Sequence, residues 1–221
     1  MNAKELARAA AALNDGDYRD PFAVLGPHDA SGTTEARVFL PGARVVDLLD
    51  RSGGVLAGAD ERFPGLFCAA LPRAAGAYRI RARWPGGVSV FDDAYRFGLV
   101  LGDLDAHLIA EGTHREAWRV LGAHPRVMDG VAGTAFAVWA PNARRVSIVG
   151  DFNQWDGRRL PMRLRHVCGV WELFVPQVGE GAFYKYEIRG PRGELLPLKA
   201  DPVAFAAEQP PQTASRVFDS G

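Results

Sequence analysis

The chain has 221 residues, 48% hydrophobic and 24% charged, which leaves room for one large domain or two of about 100 residues, each with its own core. Lys and Arg together number 26, as do Asp and Glu, so no global field attracts nucleic acid, an anionic membrane or an acidic ligand, and a neutral ligand suits the balance better. No apolar stretch reads as a signal peptide or a membrane span, and Cys68 and Cys168, without a paired-cysteine or Cys/His spacing, read as buried free thiols in a reducing cytoplasm.

In chain order, Ala3 to Leu13 is rich in helix formers and stops at Asn14-Asp15-Gly16, which predicts an N-terminal helix. Ala77 to Arg83 alternates strictly, with Tyr78, Ile80 and Ala82 on one face and Arg79, Arg81 and Arg83 on the other, as in a half-buried antiparallel strand. Asp103 to Ala110 reads as a short helix with Leu104, Leu108 and Ile109 on one face, broken by Gly112, and Arg115 to Val120 as a further turn. Short β runs follow at Val138-Trp139-Ala140, Val146 to Val149, Val170 to Val175 and Phe183 to Ile188, separated by Gly, Pro and Asn clusters. Such spacing is that of an immunoglobulin-like sandwich.

A weak internal repeat organises these elements. Val24-Leu25-Gly26-Pro27-His28 recurs as Val120-Leu121-Gly122-Ala123-His124, and Pro41 to Val46 recurs as Pro141 to Val146. Gly76-Ala77-Tyr78 recurs as Gly181-Ala182-Phe183-Tyr184, and Asp92 to Tyr95 recurs loosely as Ala200 to Val203. The matches stay in order with a growing offset, which predicts two homologous modules. The expected division is an N-terminal helix at 1–16, a first β-sandwich at 17–98, a helical connector at 99–116 and a second β-sandwich at 117–221.

No phosphate-binding loop, serine-hydrolase elbow, zinc-protease motif or dinucleotide fingerprint is present. His28 and His124 occupy equivalent repeat positions, which favours a shared turn over metal ligation, and His107 and His114 have no third ligand near them in sequence. Neither a metal nor a cofactor is expected. Arg158 to Arg165 alternates with Leu160, Met162 and Leu164 and reads as the solvated face of an edge strand.

One motif points to a ligand. Gly150-Asp151-Phe152-Asn153-Gln154-Trp155 follows a strand, and Phe183-Tyr184-Lys185-Tyr186 brings an outward lysine on a later one. A tryptophan ring can lie against the apolar C–H face of a pyranose while amide and ammonium donors meet its hydroxyls. Trp155 can equally plug the end of the core, and these residues alone leave both readings open.

Ala140-Pro141-Asn142-Ala143, followed by Val146 to Trp155, resembles the family 48 carbohydrate-binding module of α-glucan-active enzymes. The stretch Glu111 to His124 is similar to the segment joining the two N-terminal modules of bacterial glycogen branching enzymes, Asp20 to His28 to the start of their first module, and Lys199 to Ser215 to the end of the second. This resemblance covers 17–219. It implies a mainly β chain of two tandem immunoglobulin-like modules acting as the non-catalytic glucan-binding and positioning region of a cytoplasmic 1,4-α-glucan branching enzyme, in glycogen biosynthesis. The α-glucan-binding residues are then Trp155 as stacking platform, Asn153 bonding hydroxyls and Lys185 donating from the neighbouring strand. The partners are α-glucan and the enzyme's catalytic domain, expected beyond these residues, with neither nucleic acid nor membrane; no residue here inherits a catalytic role, so the chain alone is expected to be inactive. The hairpin Gly190 to Leu195 lacks the second stacking tryptophan of glycogen-targeting modules, which with the branching-type connector argues against a stand-alone glycogen-targeting adaptor; a purely structural tandem is the other alternative.

Overall fold

The structure, a computed structural model, describes residues 1–30, 32–72 and 76–219. It is mainly antiparallel β and divides into two compact units, Met1–Arg96 and Phe97–Gly221.

The first unit opens with helix α1, Ala3–Asn14. Asn2 and Glu5 form a reciprocal cap, each side chain accepting the other's backbone N–H at 3.0 and 2.8 Å, which satisfies two of the donors a helix start leaves open. The apolar stripe Leu6, Ala9, Ala10 and Leu13 is buried with Val24, Leu25, Phe39 and Leu66. Strands β1 (Gly26–Ala30), β2 (Thr33–Phe39), β3 (Val45–Leu49), β4 (Val55–Phe63), β5 (Leu66–Pro72), β6 (Arg79–Trp84) and β7 (Gly87–Asp92) hydrogen-bond in the order β1-β2-β5-β4-β3-β6-β7. Strand β4 pairs with both β3 and β5, with register shifts on each side. The sheet therefore curls on itself, and Val38, Phe67 and Leu71 from one part share a core with Val46, Leu48, Ile80 and Ala82 from the other. Tyr78, Ile80 and Ala82 face inward as their alternation requires.

The second unit begins with helix α2, Asp103–Glu111, closed by Gly112 at φ 70°. Two four-stranded sheets follow. Strands β8 (Gly122–Met128), β9 (Val131–Trp139), β11 (Arg163–Arg165) and β12 (Val170–Pro176) form one, in the order β11-β12-β9-β8. Strands β10 (Arg145–Gly150), β13 (Phe183–Arg189), β14 (Ala206–Ala207) and β15 (Ser215–Arg216) form the other, in the order β10-β13-β15-β14. Phe136 from the first sheet meets Tyr184 from the second edge-to-face at 5.0 Å.

All of β12 is buried, because both of its faces are covered. Val170 packs with Leu101, Ala106 and Ala137, and Phe174 with Phe97 and Val131. Between them Glu172, fully buried, accepts the N–H groups of Val100 and Leu101 at 3.2 and 2.7 Å and pairs with Arg163 at 3.1 Å and Arg165 at 3.6 Å. Two expectations change here. Leu104 is 70% exposed, and the helix buries the small Ala106 instead, whose size lets α2 lie close to the sheet. Arg163 and Arg165 do lie on an edge strand, but they are not a solvated face: they turn onto Glu172 and the carbonyls of Gly98 and Leu101.

The repeat seen in the sequence returns as matched contacts. Tyr78 Oη donates to Asp93 at 2.5 Å, and Tyr184 Oη donates to Asp201 at 2.7 Å. The other oxygen of each aspartate accepts the N–H two residues on, from Tyr95 and Val203. Gly26 and Gly122, both at positive φ, sit against those same residues, where a side chain would collide with Tyr95 or crowd Val203. His28 and His124 each bond a backbone carbonyl, of Val24 and Leu121, as turn residues do.

Burial pushes the carboxyls of Asp93 and Asp201 above their ordinary range. The folded chain then holds these protons more tightly than the unfolded chain does. Their contribution to stability is full below the unfolded value of 3.8 and is lost as pH rises through the folded value. Tyr78→Phe leaves a buried Asp93 oxygen without its donor and is expected to cost roughly 1.5–3 kcal/mol, read as a lower urea midpoint at unchanged slope. Asp93→Asn should flatten the rise in stability between neutral pH and pH 3.8; an unchanged pH profile would contradict the burial argument.

Candidate functional site

The outer face of the β10–β13 pair carries the site. Register sets Val149 opposite Lys185, Ser147 opposite Glu187 and Arg145 opposite Arg189. Residues 151–162 then fold back over this face: Ser147 bridges to Pro161, Ile148 N donates to the Leu160 carbonyl and Met162 N to that of Val146. The loop buries Arg145, only 2% exposed, whose guanidinium donates to Ser147 Oγ and the Gly157 carbonyl, both at 2.7 Å, and pairs with Glu187. A buried charge needs such partners to be tolerated. Gly157 leaves room for this pairing, because a Cβ there would push the Glu187 carboxylate aside.

Asp151–Asn153 forms a single helical turn at the end of β10. Phe152 turns inward, 6.4 Å from the core ring of Phe136. Asn153 does not take the exposed, hydroxyl-bonding place expected of it. It is 3% exposed, its Oδ1 accepts Gly150 N–H at 3.0 Å, and its Nδ2 donates to the carbonyls of Ile148 at 2.9 Å and Asp156 at 3.4 Å. An asparagine amide supplies a donor and an acceptor at once, and here both are turned on the loop itself.

Gln154 and Trp155 follow with φ of 60° and 58°, a left-handed conformation that non-glycine residues seldom adopt and that costs of order 1–3 kcal/mol each. Trp155 N donates to the Gly150 carbonyl at 2.9 Å, and its Nε1 donates to Asp151 Oδ1 at 2.8 Å. The ring is half-buried and held at its edge. Gly150 pairs with Tyr184, so the Trp155 backbone is anchored one residue along from Lys185. Lys185 Nζ donates to Thr213 Oγ1 at 2.7 Å. Trp155 is thus anchored at the end of β10 beside β13, Asn153 is buried within its turn, and Thr213 meets Lys185.

Sequence reasoning missed Arg145 and Thr213. Arg145 carried a signal, a charge at an alternating position of an apolar strand. Thr213 carried none, since it arrives from a segment distant in sequence. Arg158 Nε and Nη2 bond Asp156 at 2.9 and 2.7 Å; burial opposes that carboxylate's charge, but the Arg158 bonds win and hold it below its ordinary range. Cys68 and Cys168 are buried and free. Among the described residues no group of His, Cys, Asp and Glu is placed to hold a metal ion, and no helix is long and apolar enough to cross a membrane.

Residues 7–95 match the family model of the alpha-1,4-glucan branching enzyme GlgB N-terminal domain, and residues 120–204 match carbohydrate-binding module 48, the isoamylase N-terminal domain. The chain is 56% identical over 211 residues to the 1,4-alpha-glucan branching enzyme GlgB 2 of Rhizobium johnstonii, covering 95% of this chain and 28% of the relative. It is 55% identical over 217 residues to GlgB of Pseudomonas fluorescens Pf-5, covering 96% and 28%. GlgB of Rubrobacter xylanophilus is 54% identical over 220 residues, covering 99% and 30%. The chain thus spans under a third of the length of these relatives.

The geometry separates the loop's two aromatic-site residues. Asn153→Ala removes three bonds from a buried turn and is expected to destabilise the protein by about 2–3 kcal/mol. Trp155→Ala, at a half-buried strained position, should cost under about 1 kcal/mol. Urea unfolding of both variants checks this; a Trp155→Ala protein that melts before the Asn153→Ala one would make the tryptophan a core plug.

Proposed function

From a chain that belongs to the N-terminal region of the GlgB branching-enzyme family, with its N-terminal domain and a carbohydrate-binding module 48, we infer a non-catalytic region that binds α-1,4-glucan and positions it for a 1,4-α-glucan branching enzyme. The working partner is the catalytic domain of that enzyme, the setting is cytoplasmic glycogen biosynthesis, and no reacting carboxylate is supplied by these residues. The domain limits that go with this reading are 17–98 and 117–221, with a connector at 99–116.

One observation carries the reading: Trp155, strained at its backbone and fixed at its indole N–H, keeps a ring half-exposed at the end of β10, the strand that pairs with the lysine-bearing β13. Backbone strain of this kind persists where its surroundings hold it and clusters at ligand sites. A fixed apolar ring with a few convergent polar groups is what an oriented neutral ligand needs. Trp155 stacks on a glucose ring, Lys185 donates to a hydroxyl with Thr213 holding its ammonium in place, and Asn153 acts through the loop. Arg79 stands at the lysine position of the first unit, which has no comparable tryptophan loop, so sugar binding belongs to the second.

Isothermal titration with maltoheptaose tests this. Binding is expected near the millimolar range, about −4 kcal/mol, nearly insensitive to salt because the ligand is neutral, and weakened by Trp155→Ala and by Lys185→Ala in folded protein. Unchanged binding in both variants places the site elsewhere. Incubation with amylose should yield no new α-1,6 linkages; measurable branching by the chain alone would overturn the non-catalytic assignment.

A further inference from the structure

A groove of about 430 Å³ opens beside the Trp155 loop, between the turn at Asp151-Phe152 and the turn that joins β12 to β13. Its volume falls within the roughly 300–1,000 Å³ of small-molecule sites. Its lining combines the half-buried rings of Phe152 and Phe183 with the exposed Gln177, Glu180 and Asp151.

The turn is built to hold this shape. Gln177 adopts φ 63°, with its N–H on the Ala132 carbonyl at 2.9 Å, and Gly181 N and Val217 N are bonded to Val217 O and Ala182 O, both at 2.9 Å. Thr134 Oγ1 donates to the Val178 carbonyl at 2.7 Å from inside. Two links tie the groove to the Trp155 face. Asp151, one of the lining residues, is also the residue whose Oδ1 holds the Trp155 indole. Phe183 lies two residues from Lys185 on β13, hence on the same outward face and about 7 Å along the strand.

We propose that this groove is a further subsite for the same α-1,4-glucan chain, taking glucosyl units beyond the one stacked on Trp155. The proposal rests on the Trp155 reading. The chemistry suits a neutral polyol: carboxylate oxygens of Glu180 and Asp151 accept hydroxyl protons, the Gln177 amide both donates and accepts, and the phenyl rings meet the apolar ring face. An anion would meet two carboxylates and no facing cation in this lining.

The test compares maltotriose with maltoheptaose by isothermal titration of the whole chain. Wild type is expected to bind the longer sugar more tightly by about tenfold, the equivalent of one to two net hydrogen bonds. Glu180→Ala removes a rim acceptor. Gly179→Leu adds a branched side chain at a lining position where a Cβ meets no atom within 4 Å and φ is ordinary. Both variants should bring maltoheptaose to the level of maltotriose while leaving maltotriose binding unchanged, and Trp155→Ala should weaken both sugars. If both groove variants bind maltoheptaose like wild type while Trp155→Ala weakens both sugars, the groove proposal is overturned and the Trp155 reading stands. If Trp155→Ala affects neither sugar, the Trp155 reading itself fails.

Discussion

A single buried cation organises the face of this chain that carries the tryptophan loop. Arg145 points outward from its strand, where a side chain would normally meet water, yet it is only 2% exposed. Leaving a guanidinium dry is costly unless its charge is met, and Ser147, the Gly157 carbonyl and Glu187 bond its two terminal nitrogens. The pairing therefore requires residues 151–162 to stay folded over β10. With the loop pinned there, Asn153 can close the turn, and Trp155 is left half-exposed with little choice of position. Rigidity is what an open, shallow site lacks by default, and it limits the entropy lost when a ligand docks.

The first unit serves as an internal control, since its repeat position for Arg145 is Val45, which is 43% exposed. There β3 leads into the tight Asp50–Gly54 turn, closed by Asp50 accepting the N–H groups of Ser52 and Gly54. The outer ion pair differs as well: Arg81 donates to Asp47 at 2.8 Å in the first unit, whereas the equivalent positions in the second are Glu187 and Ser147, and Glu187 pairs with Arg145 instead. The tyrosine–aspartate bond and the glycine beneath it are common to both units. The shared contacts make the fold, and the differing outer face distinguishes the unit with the tryptophan loop from the one without.

Much of this was legible in the sequence, because strand alternation and repeat spacing are local. Tyr78, Ile80, Tyr184 and Tyr186 face inward as their period demands, and the paired Gly26 and Gly122 announced equivalent turns. Four features were hidden, each for a reason of packing or tertiary pairing. Asn153 looks like a ligand residue by type, and only the closed turn shows its amide already engaged. Arg163 and Arg165 look solvated until Glu172, buried under residues 97–101, is seen to draw them in. Leu104 looks like the anchor of its helix, but close approach to the sheet favours Ala106. Thr213 could not be linked to Lys185 at all, since the strand carrying that segment reaches β13 only through tertiary pairing.

The central claim, that the outer face of β10 and β13 holds glucan at Trp155, is tested most directly by following the five tryptophan indole N–H signals in nitrogen-15 NMR spectra during titration with maltoheptaose. Trp171 is in the core, Trp84 belongs to the first unit, Trp118 to the helical turn before β8, and Trp139 to β9 of the other sheet. The account requires the Trp155 indole to shift progressively with added sugar while Trp84, Trp118, Trp139 and Trp171 stay in place. A Trp155 signal that does not move at saturating sugar, or a shift confined to another tryptophan, would contradict it.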